Sequence, residues 1–421
     1  MKKFLSNYKS TIILLVAIIV GAVLGIVFQE KATILSPLGD LFLNLLLVII
    51  IPLIFLTITT SISKMKTPKR LGKIVASIIG VFIATSLIAV IIGFGSIYFV
   101  DLVNSEDGEM IKSSFEENVE EVSEETEEIT ILDRTISLVS VDDFSKLFST
   151  NNIIALLVVS IIVGIAINMT GEKAKPVIDL LNSANSIVEN VMKIIMYYAP
   201  IGLGAYFASL VGSFGATIAV GYLKTFVIYT VVAIMFYVVI YTLYAFVAGG
   251  KKGVEVFWKN VLPATITSVA TCSSAASIPV NIECSKKMGV PEDIAETIIP
   301  LGTSFHKDGS IIGSVFKIMF LVYLFGTGIS EPQQILWIFG VALLANLLVT
   351  AVPIGGGTIS EMLIITMMGY PLAALPILTI IAAVIDPPAT MLNVVGDTSS
   401  SMLVARVVEG EKWLDKPKEE K

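Results

Sequence analysis

Four ionisable residues stand inside otherwise apolar stretches of the C-terminal half of the chain: Lys307, Asp308, Asp386 and Asp397. Each sits beside residues that interrupt a helix. The first pair falls in Gly302-Thr303-Ser304-Phe305-His306-Lys307-Asp308-Gly309-Ser310. The second pair bounds the stretch that opens Asp386-Pro387-Pro388 and closes Val395-Gly396-Asp397. A charge at the centre of a membrane helix costs about 2.5 to 3.5 kcal/mol on insertion scales, so it needs a partner or a wet cavity and marks a functional site by default. A carboxylate beside unwound carbonyls offers the hard oxygen donors that suit an alkali cation, and it can equally hold an ammonium through charge-assisted hydrogen bonds. A third stretch, Thr271-Cys272-Ser273-Ser274-Ala275-Ala276-Ser277-Ile278-Pro279, supplies the complement. Ser273 and Ser274, with free backbone N–H groups at a half-helix N-terminus, suit a carboxylate.

Two cysteines, Cys272 and Cys284, and one histidine, His306, leave no material for a zinc site, an iron–sulfur cluster or a disulfide framework, and no cofactor is expected. His306 either carries a coupling proton, since imidazole changes charge in the physiological range, or is simply hydrogen-bonded. Ser274, His306 and Lys307 would also serve an intramembrane enzyme as nucleophile and base, provided they meet at hydrogen-bond distance. A channel is the remaining alternative.

The elements that must position these residues follow from composition. Of 421 residues, 55% are hydrophobic and 15% charged, and the mean hydropathy is +0.87. A soluble chain would be about 45–50% apolar and about 25% charged, so the protein is polytopic in a membrane. The net charge of -7 comes from one place: residues 101–135 hold 13 of the 35 acidic and 2 of the 28 basic residues. That segment has the composition of a solvated loop. No basic patch interleaved with aromatics supports a nucleic-acid partner.

Apolar runs of crossing length lie near residues 11–29, 38–60, 74–100, 152–169, 184–211 and 216–248. The first is read as a retained helix, because no small-residue cleavage site follows it. Lysines and arginines cluster before the first run and after the second, fourth and sixth, which places the N-terminus in the cytoplasm and the acidic segment outside. The next apolar stretch, 261–282, has basic flanks at both ends, Lys259 and then Lys286 and Lys287. A single crossing would strand one flank on the wrong side. A re-entrant hairpin turning at the serine-rich tip resolves this.

From Ile318 to Ala405, 88 residues contain no Lys or Arg. Within them, Thr350-Ala351-Val352-Pro353-Ile354-Gly355-Gly356-Gly357-Thr358 breaks an apolar run, which reads as a second hairpin entering from outside. Each hairpin is followed by a helix expected to be broken. Such an inverted pair places a substrate and ion site near the midplane, where half-helix ends and free carbonyls converge. The chain is expected to return to the cytoplasm at 412–421.

Ser273 to Val280, Ile299-Pro300-Leu301-Gly302-Thr303, Asp308-Gly309-Ser310 and Asn393-Val394-Val395-Gly396-Asp397 resemble the signatures of the dicarboxylate/amino acid:cation symporters, the glutamate-transporter homologues. The resemblance covers essentially the whole chain. It implies an all-α membrane protein of eight transmembrane helices plus two re-entrant hairpins with inverted repeats, assembled as a homotrimer in the plasma membrane. It implies scaffold helices in 1–73 and 151–212, a transport helix in 74–100, an acidic extracellular loop over 101–150 and a transport domain over 213–411 that moves like an elevator. Asp386 matches the aspartate that holds the substrate amino group, with Thr390 and Ser310 nearby, and Asn393 matches the asparagine that holds the carboxylate. Ser273 and Ser274 match first-hairpin contacts, and Val352, Pro353, Ile354 and Gly355 match the second-hairpin gate. Asp397, with carbonyls near His306 and Asn393, matches one sodium site. Asp308, Thr85 and Ser86 match another, and the Thr303 and Thr350 carbonyls approach a third. Sodium, protons or both are the coupling ions so implied.

Departures from the family pattern set further expectations. Acidic-substrate members carry an arginine at the positions of Ala389 or Cys272, and a supporting aspartate at Ala382. Without that guanidinium a neutral amino acid is favoured over an acidic one. An acidic amino acid or C4-dicarboxylate read by Lys307 is the alternative. The usual Asn-Met-Asp-Gly-Thr has become His306-Lys307-Asp308-Gly309-Ser310, so Lys307 either replaces a sodium ion, binds a substrate carboxylate or pairs with Asp308 or Asp397. A tyrosine often found at one sodium site is Phe82. Lys317 and Glu361 are further intramembrane charges, expected to pair with each other.

Overall fold

The computed structural model describes residues 9–63, 71–100, 102, 140–149, 152–214, 216–329, 331–347, 356–411 and 413–415. These residues form helices and no strand. The N-terminal half comprises α1 (Lys9–Phe28), α2 (Ser36–Ser63), α3 (Leu71–Ile97), the short α4 (Phe144–Leu147), α5 (Ile153–Thr170) and α6 (Lys175–Phe214). It continues as α7 (Ala216–Met235), a π-helical turn (Phe236–Ile240) and α8 (Tyr241–Asn260). Of the acidic segment 101–135, only residue 102 lies within the described residues.

Among the described residues five helical runs are long and apolar enough to cross a membrane: Ile12–Thr60, Ala76–Ile97, Val158–Ser213, Ile218–Asn260 and Leu372–Glu409. The first and third each contain two of the spans read from sequence. Large apolar side chains cover the outward faces of α1, α6 and α7, among them Ile19, Val27, Leu180, Ile194, Leu223 and Ile234. In water such faces would be a liability, and in hydrocarbon they are the solvated surface.

The C-terminal half departs from simple crossings, for the backbone reasons the sequence announces. α9 (Leu262–Thr271) and α10 (Ser274–Lys287) pack against each other across a tip at Cys272 and Ser273. Cys272 takes a left-handed conformation (φ 46°), and the Ser273 hydroxyl then caps α10 by accepting from Ala276 N–H at 3.2 Å. α11 (Glu292–Phe305) and α12 (Asp308–Leu324) are one path interrupted at His306 and Lys307. α13 (Pro332–Leu347) and α14 (Gly356–Met368) form the second packed pair, and α15 (Leu375–Glu409) ends the core.

One expectation needs correction. The last long helix is not broken at Asp386–Asp397, because α15 runs through Pro387 and Pro388 without interruption. The two prolines lack N–H donors, so the helix persists while the carbonyls of Ala383 and Val384, four residues upstream, lose their partners. Free carbonyls are obtained without unwinding.

The strongest pairings fall in two groups. α1, α2, α5 and α6 pack on one another, whereas α3 and α7 to α15 gather around α15 and the near-completely buried α12.

Candidate functional site

The interruption between α11 and α12 delivers His306 into the protein interior, where its side chain is fully buried. Its Nδ1 lies 3.0 Å from Asp397 Oδ1 of α15, and its Nε2 lies 3.1 Å from Asp308 Oδ1 and 2.8 Å from Thr85 Oγ1 of α3. Thr85 directs its own hydrogen to the Val81 carbonyl at 2.9 Å, as a helical threonine does. Thr85 Oγ1 and Nε2 share a hydrogen bond, Nδ1 and the Asp397 carboxylate share another, and the imidazole thus lies between two buried carboxylates. Phe82 stacks on the ring with centroids 4.4 Å apart and planes 12° apart.

Close approach at this centre depends on two glycines. A Cβ on Gly302 would fall 2.2 Å from Asp397 Oδ1, and one on Gly396 would fall 3.0 Å from Asp308 Oδ2. The Tyr241 hydroxyl donates to the Leu392 carbonyl at 2.6 Å and lies 3.3 Å from Asp308 Oδ2. Asp308 Oδ1 and Asp397 Oδ2 are buried without a hydrogen bond among the described residues.

A cavity of about 140 Å³ lies beside this centre, lined by Lys307, Ser310, Gly313, Lys317, Asn346, Ser360, Ala382, Ile385, Asp386 and Ala389. Of the residues expected from sequence to contact substrate, Ser310 and Asp386 line it. Asp386 accepts from Thr390 Oγ1 at 3.2 Å, and Asn393 and Ser310 are joined reciprocally. Ser310 N–H donates to Asn393 Oδ1 at 3.1 Å, and Asn393 Nδ2 donates to Ser310 Oγ at 3.0 Å. Ala382 and Ala389 form an apolar part of the wall. Lys317 Nζ pairs with Glu361 Oε1 at 3.0 Å, as the isolated charges led one to expect, and Thr379 donates to Glu361 Oε2 at 2.9 Å.

Ser273 and Ser274 form the tip and first turn of the first hairpin, half-buried. Ser86 is half-buried beside Thr85, and Thr303 directs its hydroxyl to the Ile299 carbonyl at 2.9 Å. Thr350, Val352, Pro353, Ile354 and Gly355 lie outside the described residues.

Several positioning residues escaped the sequence reading. Tyr229 donates to the Gly309 carbonyl at 2.8 Å and so holds the start of α12. Asn281 donates to the Val394 carbonyl at 2.8 Å and accepts from Thr398, tying the first hairpin to α15. The usable signal for Tyr241 was its place just after a π-helical turn at Phe236–Ile240, a frequent mark of functional regions.

A model of the sodium:dicarboxylate symporter family matches residues 11–407. The chain belongs to that family. A proton/sodium-glutamate symport protein of Bacillus caldotenax is 26% identical over 420 residues, covering 96% of this chain and 94% of the relative. A C4-dicarboxylate transport protein of Paracoccus denitrificans (strain Pd 1222) is 26% identical, covering 93% of this chain and 85% of the relative. One of the same description from Bacillus subtilis (strain 168) is 25% identical over 94% and 93%. The family is one of transporters rather than enzymes. The buried His306 centre and the adjoining cavity therefore lie in a protein of a symporter family with multiple apolar helices.

Proposed function

We propose that this protein is a secondary symporter that carries an amino acid or dicarboxylate through the membrane, driven by sodium, protons or both. The observation that carries the reading is the cavity beside His306: Asp386 and Ser310 line it, Asn393 is hydrogen-bonded to Ser310, and the carboxylates of Asp308 and Asp397 meet the adjacent His306. A carboxylate facing a pocket holds a substrate ammonium, and the Asn393–Ser310 pair with the serine-rich tip receives a substrate carboxylate. Cation and substrate positions share α12 and α15, so occupancy of one biases the other, as coupling demands.

The grouping of helices supports an elevator. α1, α2, α5 and α6 would be the scaffold, trimeric as the resemblance implies, and α3 with α7 to α15 the moving body. Selectivity for a neutral amino acid is supported by Ala382 and Ala389, which give the wall no guanidinium. A second reading, an acidic substrate, is favoured by Lys307 and Lys317 lining the same cavity.

Uptake into proteoliposomes of labelled neutral amino acids, acidic amino acids and C4-dicarboxylates, with sodium and proton gradients imposed separately, tests the proposal. Concentrative uptake of one class driven by either gradient is expected. Downhill equilibration alone, indifferent to both gradients, would refute symport in favour of a channel.

A further inference from the structure

Asp308, Asp397 and Thr85 converge from three helices on one buried point, and two carboxylates brought together in low dielectric need a proton or a cation between them. In this chain the ring of His306 stands there. It meets Asp308 at 3.1 Å and Thr85 at 2.8 Å through Nε2, the two groups expected at one sodium position, while Nδ1 lies 3.0 Å from Asp397 of the neighbouring one. The approach from α3 is closed by Phe82, whose face lies 4.4 Å from the imidazole centroid and offers no oxygen donor to a hard cation.

Phe82 and His306 are also two of the positions at which the sequence departs from the pattern it resembles, and the structure puts them face to face. Two departures separated by more than two hundred residues in sequence thus form one contact. The phenyl ring fills the place of an oxygen ligand, and the imidazole fills the place of the ion.

We propose that the stacked Phe82–His306 pair is a built-in replacement for one coupling sodium: the imidazole occupies the position between Asp308 and Thr85 and so excludes the ion from it. The inference rests on the cation-coupled reading above and refines its stoichiometry. Sodium use is reduced rather than abolished, because Asp397 Oδ2 stays buried and without a hydrogen bond among the described residues and remains available as a cation ligand. Lys307 lines the adjoining cavity.

The test is a gain of function. His306→Asn restores an oxygen donor and opens the space, Phe82→Tyr restores a hydroxyl, and the double variant combines them. In detergent-purified full-length protein, the thermal midpoint is read against sodium concentration with choline as the control, which requires no knowledge of the substrate. Stabilisation by sodium is expected to become larger and steeper in His306→Asn and the double variant than in the native protein. In proteoliposomes, the sodium dependence of uptake is expected to steepen by about one in Hill coefficient. Sodium responses unchanged or weakened in folded, monodisperse variants would overturn the proposal. Should neither variant stay folded, the ion-to-substrate ratio of the native protein, taken from reversal potentials, decides. A ratio requiring all three sodium positions overturns the proposal, and a smaller one supports it. If the native protein accumulates no substrate, the symport reading fails, while the sodium-binding comparison still judges the replacement by itself.

Discussion

The Lys317–Glu361 pair allows a quantitative check on how this interior is held together. The Lys317 side chain is 8% exposed and that of Glu361 1%, with Nζ and Oε1 3.0 Å apart. The second carboxylate oxygen accepts from Thr379 at 2.9 Å. Removing one partner of such a pair strands a buried charge, at a cost of about 3–5 kcal/mol, whereas replacing both with apolar groups of similar volume is close to neutral. Lys317→Met and Glu361→Leu should each lower stability by about that amount, and additivity would then place the double variant at about 6–10 kcal/mol. The structure instead predicts a double variant more stable than either single one. Reversible unfolding in mixed micelles, followed by tryptophan fluorescence, measures the four corners of the cycle. Membrane levels of the charge-swapped Lys317→Glu/Glu361→Lys protein provide an independent reading, expected to recover what each single reversal loses. Additive singles together with no recovery in the swap would refute the pairing.

Other substitutions probe the site itself. Asp386→Asn keeps the hydrogen bond geometry with Thr390 but loses the charge, and should weaken binding of an amino-acid substrate by roughly tenfold to a hundredfold, since a hydrogen bond to a charged group contributes about 1.5–3 kcal/mol; concentration dependence of uptake measures it. Gly302→Ala places a Cβ 2.2 Å from Asp397 Oδ1, so the carboxylate must move, at a cost of about 1–3 kcal/mol, with loss of coupled uptake. Tyr229→Phe leaves the buried Gly309 carbonyl without its donor and should cost about 1–3 kcal/mol in thermal or micelle unfolding, with uptake weakened because the start of α12 is released.

Much of the architecture was legible before any coordinates. Hydropathy and the placement of basic residues located the spans, and the flanks of 261–282 called for a hairpin whose tip the structure finds at Cys272 and Ser273. The interruption at His306 and Lys307 was equally legible, because glycine and charge inside an apolar run leave a helix few alternatives. The proline pair misled the reading of α15, since loss of two N–H donors frees carbonyls without obliging the helix to unwind.

The sequence by itself determined which residues are costly in a membrane, and so nominated Asp308, Asp386, Asp397, Lys307, Lys317 and Glu361, because the desolvation penalty is a property of each group. Pairing is a property of position. Only the tertiary structure decided that His306, rather than Lys307, stands between Asp308 and Asp397, that Phe82 lies against it, and that Tyr229, Tyr241 and Asn281 hold the helices around the centre. A one-residue difference at the interruption selects which side chain enters the centre and which faces the cavity, and the packing of α3, α12 and α15 settles that choice.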